Sequence, residues 1–281
     1  DIEEICNLVH PRIGIITAVG EQHLESFGSI ENVQAAKFEL IDSLPQDGTA
    51  ILNDDFQMVA SRKVTNTKNV YRYAVSSQAA DFCATDIRYS RNSTAFTVDG
   101  PDNSRTELET RLLGECNISN LLAGYIAAKV LGMEDKDIRY AVGQVAQVEH
   151  RLSVRHTAGG ITIIDDAFNS NPHGSKMALD VLSTFSDGSR IVITPGMIEL
   201  GEKQYSLNME LGSYMCGRCD WAIVVGGYNR DAIVEGLTAG GFEQQNIIQV
   251  QTFTEATARL QEIVRRGDTV LYENDLPDTF K

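Results

Sequence analysis

Four short segments of this chain place polar side chains at spacings that chemistry can use. The first is GEQHLESFGS, which follows an apolar run and carries His23 and Glu25. An imidazole at the end of a strand can ligate a metal or simply cap its loop, and loop packing is the commoner case. The second is Lys37 in QAAKFEL, on the helix side shared with Val33, Leu40 and Ile41. A partly covered ammonium there is either a snorkelling lysine or a group held for modification or for a phosphate. In the third segment, ECNISNLLAG, Asn117 and Asn120 stand three residues apart at the start of a helix. Asn117 suits an N-cap, while a carboxamide offers the donor and acceptor together that an adenine edge requires. The fourth, IIDDAFNSNP, ends an apolar strand on Asp165 and Asp166 and continues through Asn169, Asn171 and Pro172. Part of this is turn chemistry; a carboxylate at the carboxyl end of a parallel strand is also where a ribose hydroxyl is gripped. Cys216-Gly-Arg-Cys219 has no second CxxC or HxxxH to complete a zinc site, and reads as structural.

Elements of definite kinds must hold these segments. In the second half, β-rich runs at 161–168, 190–196, 221–227, 246–252 and 268–275 alternate with stretches of helical period. That alternation predicts a doubly wound, Rossmann-like α/β domain. No GxGxxG follows any of the strands, so a dinucleotide site is not supported. The first half is mixed: a strand over 12–20, a helix from IENVQAAKFELIDSL capped by Ser29, and strands in GTAILN and NVYRYAV. Residues 82–113 read as an antiparallel hairpin region turning at Gly-Pro-Asp-Asn, and two helices follow in NISNLLAGYIAAKVLG and DKDIRYAVGQV. The stretch VEHRLSVRHTAGG joins the halves, so we expect α/β domains over 1–150 and 151–281.

Composition sets the class. A length of 281 residues suits two domains at roughly 150 residues each. With 42% hydrophobic and 22% charged residues the chain is ordinary for a globular protein, and no uninterrupted apolar run reaches membrane-spanning length. The first residues, DIEEICNLVHPR, lack the basic and apolar regions of a signal peptide. A net charge of −15 argues against a nucleic-acid footprint. An anionic ligand would need backbone N–H groups, a few Arg or Lys, or a metal. Five scattered cysteines, an odd number, point to a reducing, cytoplasmic setting.

Taken in this order, the segments resemble the Mur ligase family of ATP-dependent amide-forming enzymes over essentially the whole chain. The likeness leans to the branch that joins D-Ala-D-Ala to a UDP-MurNAc-tripeptide. Asp165 to Pro172 is similar to its DDxYNANP, Gly196 to Gly201 to its DMLELG, and His23 to Ser29 to its HLExFGS. The resemblance implies ATP and magnesium (Mg2+) as cofactors, and a UDP-MurNAc-peptide and D-Ala-D-Ala as partners of a monomeric cytoplasmic enzyme. It implies His23 as a magnesium ligand and Lys37 as the family's carbamylated lysine, a carbamate being an oxygen donor suited to that ion. Asn117 and Asn120 fall on the adenine side, Arg151 at the nucleotide, and Asp166 at the ribose. Asn169, Asn171 and Glu199 then lie toward the incoming amine substrate. The reaction implied is acyl-phosphate formation followed by amine attack, with a C-terminal domain closing over a central one.

The chain also departs from the pattern. Phe168 replaces a Tyr, Cys116 stands where the family often has His, and Gly196 replaces an Asp. The chain contains no Gly-Lys dipeptide, so the family's phosphate loop is missing, along with an acidic magnesium ligand. We therefore expect a fragment that starts partway through the central domain and does not ligate alone. Alternatives are a cyanophycin- or folylpolyglutamate-type ligase, a nucleotide-binding regulatory module, and a non-catalytic scaffold.

Overall fold

The computed structural model describes residues 2–90, 93–168 and 170–275. The chain divides into two compact units, one of Asp1–Gly20 with Phe27–Ala146, the other of Glu21–Ser26 with Gln147–Lys281. The short His23 loop, which sequence order places in the first half, thus belongs to the second unit.

The first unit opens with a helix that sequence patterning did not single out, α1 (Ile2–Val9), followed by β1 (Ile13–Ile16). After the short α2 (Leu24–Phe27), which belongs to the second unit as far as Ser26, come α3 (Ile30–Asp42), β2 (Thr49–Asn53), α4 (Gln57–Ala60) and β3 (Asn69–Ala74). Then follow β4 (Phe82–Tyr89), β5 (Thr94–Asp99), β6 (Arg105–Thr110), α5 (Glu115–Val130) and α6 (Asp135–Gln144). The six strands lie in sequence order, β1 to β4 parallel and β4 to β6 antiparallel. The hairpin turns at 100–103 as expected, through one turn of 3-10 helix. Helix α5 buries Ile118, Leu122 and Ile126, four residues apart, with Ile51, Tyr73, Phe96 and Leu108 of the sheet. That is the stripe an amphipathic helix must cover.

β1 is shorter than the apolar run suggested. From Thr17 onward side chains take over the backbone acceptors: Asn53 Nδ2 donates to Thr17 O at 2.8 Å and Lys37 Nζ to Ala18 O at 2.9 Å. The carbonyls are satisfied without a ladder, so the chain is free to leave the sheet.

The second unit holds β7 (Ser153–His156), β8 (Thr162–Asp166), α7 (Pro172–Ser183), β9 (Arg190–Thr194) and α8 (Gln204–Met215). β10 (Trp221–Val225), α9 (Arg230–Ala239), β11 (Ile247–Val250), α10 (Phe253–Ile263) and β12 (Thr269–Glu273) complete it. The order is β11-β10-β9-β12-β8-β7, parallel except for β7, an edge strand inside the stretch expected only to join the halves. Crossovers through α7, α8 and α9 step one way along the sheet and the α10 crossover steps back. Right-handedness therefore puts α10 on the opposite face, where Ala256 and Leu260 pack with Ile191, Ile193, Ile223 and Ile248. α8 and α9 meet backbone to backbone: a Cβ on Gly236 would overlap Met209 O, and one on Gly212 would overlap Ile233 O. Because β12 lies between β8 and β9, the carboxyl ends of all three strands stand side by side. Among the described residues no helix is long and apolar enough to cross a membrane.

Candidate functional site

In the first unit, the carboxyl ends of β1 and β2 gather a buried polar network. Asn53 is 1% exposed, and besides Thr17 O its Nδ2 reaches Ser119 Oγ at 3.0 Å. Ser119 lies on α5 between the two asparagines of interest. Lys37 is half-buried, and burial pushes its ammonium pKa down. The position that suits a snorkelling lysine therefore also favours the neutral amine that carbamylation consumes. Asn117 is not the N-cap: α5 starts after Gly114, and Asn117 Nδ2 reaches back to Leu113 O at 2.8 Å within the first turn. Asn120 is exposed on the same side, and its carboxamide makes no hydrogen bond to another described residue.

In the second unit the DDAFNSNP segment caps the sheet. Asp166 Oδ1 accepts from Leu152 N at 2.9 Å. Burial first, then the neighbouring Glu273 carboxylate, push the Asp166 pKa up to about 7. His150 Nδ1 donates to Asp165 at 3.0 Å. His150 and Leu152 both have positive φ, 60° and 51°, so Arg151 sits in a tightly bent turn. The Arg151 guanidinium lies 4.3 Å from the centroid of the Phe168 ring, which is 56% exposed. This contact needs the ring face and no hydroxyl, so Phe serves it as well as the family's Tyr. Asn171 is the N-cap of α7, its Oδ1 accepting from Gly174 N at 3.0 Å. Asn169, expected on the substrate side, lies outside the described residues.

The sequence patterns did not single out Glu273 and Asn274. Glu273 is fully buried at the end of β12 and accepts from the hydroxyls of Ser170, Ser175 (2.6 Å) and Thr194 (2.5 Å). The rule that pointed to Asp166, a polar residue closing an apolar parallel strand, applies equally to the LYEND stretch that ends this strand.

The GMIELG loop, residues 196–201, follows β9. Gly196 has φ +80°, and a Cβ there would be driven into Asn208 Oδ1 and would come within 2.9 Å of Asn229 Nδ2. Asn208 Oδ1 accepts from Met197 N at 2.9 Å, and Asn229 Nδ2 donates to Pro195 O and Met197 O at 3.0 Å. Two asparagines therefore crowd the place a side chain at position 196 would take. Glu199, at φ 62°, accepts from His23 Nδ1, and its backbone O accepts from Glu25 N at 3.3 Å. His23 and Glu199, drawn from the two ends of the sequence, are thus one pair.

That pairing suits a metal ligand, since a carboxylate on Nδ1 leaves Nε2 as the coordinating nitrogen. Among the described residues no three His, Cys, Asp or Glu side chains gather into a metal site. His23 would then offer one nitrogen to an ion such as magnesium, whose other ligands would be oxygens. The cysteine pair is structural: burial pushes the Cys219 thiol up, and none of the five cysteines is in a disulfide. An open groove of about 650 Å³ lies elsewhere in the first unit, beside Arg88, Arg111, Arg139 and Tyr140, and includes none of the expected site residues.

Comparison with known proteins follows the same division. Residues 1–128 match the Mur ligase middle domain, and residues 150–272 match the Mur ligase, glutamate ligase domain. The UDP-N-acetylmuramoyl-tripeptide–D-alanyl-D-alanine ligase of Bacillus subtilis is 25% identical over 97% of this chain and 58% of its own length. The ligase of the same name from Escherichia coli is 28% identical over 73% of this chain and 45% of its own. Among solved structures, MurF from Acinetobacter baumannii superposes with a TM-score of 0.85 at 23% identity, covering 98% of this chain and 59% of that one. MurF from Thermotoga maritima, solved with ADP, gives 0.84 at 22% identity, covering 98% and 61%. The chain thus spans a little over half the length of the proteins it matches, and at these identities the structures speak for the fold.

Proposed function

The chain belongs to the Mur ligase family, and from that premise we propose that the protein carrying it is a cytoplasmic, ATP-dependent ligase that joins D-Ala-D-Ala to a UDP-MurNAc-tripeptide. The observation that carries this reading is the clustering of Asp166, Arg151 and Asn171 around one strand end. The names of the relatives supply the substrate class.

Each residue then has work suited to its chemistry. Asn120, with Asn117 beside it, offers a carboxamide to the adenine edge. Asp166 takes the ribose hydroxyls, and the Arg151 guanidinium meets the nucleotide from its place on Phe168. Asn171 uses Oδ1 for the helix cap, so its amide N–H groups remain for an incoming carboxylate. Lys37, once carbamylated, and separately His23 through Nε2 are each suited to hold magnesium, which would offset phosphate charge. ATP supplies the phosphoryl group that activates the acceptor carboxylate, and an unprotonated amine then displaces phosphate.

The test is incorporation of labelled D-Ala-D-Ala into UDP-MurNAc-tripeptide by the protein that carries this chain, with ATP and magnesium. Incorporation with matching ADP release is expected. Glutamate incorporation into a folate instead, or none with either substrate, would overturn the reading.

A further inference from the structure

Glu273 and Asn274 sit where the two loops of the second unit's site begin. Glu273 takes hydroxyls from Ser170 and Ser175, on either side of Asn171, and from Thr194, which leads into the GMIELG loop. Asn274 repeats the connection with backbone groups. Its Nδ2 donates to Gly196 O at 2.6 Å, its Oδ1 accepts from Ser170 N at 3.2 Å, and its N–H donates to Asp166 O at 3.2 Å. In the strand register Glu273 is the direct neighbour of Asp166. A fully buried carboxylate costs desolvation that an apolar residue at the end of a strand would avoid. Holding two loops to one strand end, beside a second carboxylate, is something an apolar residue cannot do.

We propose that Glu273 and Asn274 are positioning residues of this site: together they tie Ser170 and the start of α7 to Thr194 and Gly196, and Glu273 adds to burial in making ligand binding at Asp166 depend on a proton. The charged groups facing Asp166 are Glu273 on β12, Asp165 on β8 and Arg151 in the turn before β7. Burial, Glu273 and Asp165 favour its protonated form; Arg151 and the Leu152 N–H oppose them, leaving it to titrate at about 7. A ribose hydroxyl donates to a carboxylate, so the ligand selects the ionised form and binding releases the proton. Affinity therefore rises about tenfold per pH unit below 7 and levels off above it. The choice of a nucleoside ligand rests on the function proposed above; the coupling of the two carboxylates does not.

The experiment has two parts, both on the 281-residue chain. The first is titration of the Asp166 carboxyl carbon by NMR without ligand, in the wild type and in Glu273→Gln. The second is calorimetric ADP binding with magnesium between pH 5.5 and 8.5, for the same pair and for Asn274→Ala. ADP's own ionisation is common to all three proteins and drops out of the differences. The expected result is a wild-type Asp166 that titrates near 7 and moves down in Glu273→Gln, whose ADP affinity loses part of the wild type's pH slope near 7. Asn274→Ala is expected to weaken ADP at every pH and keep that slope. An Asp166 that titrates in the ordinary carboxylate range, or one that Glu273→Gln does not move, overturns the inference. An unchanged pH slope in Glu273→Gln does so too. Coupled titration with no ADP binding at any pH would instead overturn the nucleotide reading and leave the coupling standing.

Discussion

The Asp166 carboxyl is less stable as an anion in the folded chain than in the unfolded one, and that has a consequence for stability apart from any ligand. The unfolded side chain loses its proton near pH 4 and the folded one at about 7. Between those values the folded state binds more protons, so stability falls as pH rises through that window and then levels. Asp166→Asn does not titrate there and can still accept from Leu152 N. The variant is expected to gain on the wild type from pH 4 to 7, reaching on the order of 4 kcal/mol. Urea denaturation at several pH values checks this, and a constant difference across the window would contradict it. Much at this scale was legible from residue type and spacing, because a strand that ends in two acids is unusual enough to notice. Glu273 and Asn274 went unnoticed because 268–275 reads through as one strand, and only the sheet order brings its end between those of β8 and β9. The His23–Glu199 pair, 176 residues apart, had no local signal at all.

Among the elements, the helices and parallel strands of the second unit follow from their apolar periods, and the hairpin of the first unit follows from its Gly-Pro turn. Two departures in the strands have a tertiary reason. β7 is a short edge strand with polar residues on both sides of the pleat, and β1 stops early because the side chains of Asn53 and Lys37 replace its ladder. Two glycines give opposite predictions from the same substitution. Gly124, inside α5, has nothing within 4 Å of a would-be Cβ, so Gly124→Ala is expected to stabilise the chain by about 0.5–1 kcal/mol. Gly236→Ala places a methyl group on Met209 O, so the two helices must part, at a cost of about 1–3 kcal/mol. Denaturation midpoints of the two variants should therefore move in opposite directions. A shift of the same sign in both would contradict the backbone contact between α8 and α9.

At the scale of the whole molecule, length and the change of pattern near residue 150 suggested domains over 1–150 and 151–281, and the structure divides into two units with a different membership. Its details were not legible. Segment 21–26 joins the second unit through Glu21–Lys203 and the two Glu199 contacts, pairings that bridge more than 170 residues of sequence. Of the residues proposed above to meet a nucleotide, Asn117 and Asn120 belong to the first unit and Arg151 and Asp166 to the second, and the chain contains no Gly-Lys dipeptide. The proposed nucleotide role of Asp166 is open to a single calorimetric measurement. The folded chain is titrated with ADP and with ATP in the presence of magnesium, beside an Asp166→Ala variant. Weak binding of both nucleotides by the wild type is expected, at least tenfold weaker in the variant, with no ligation by the chain alone. A folded wild-type chain that binds neither nucleotide, or a variant that binds both equally well, would contradict it.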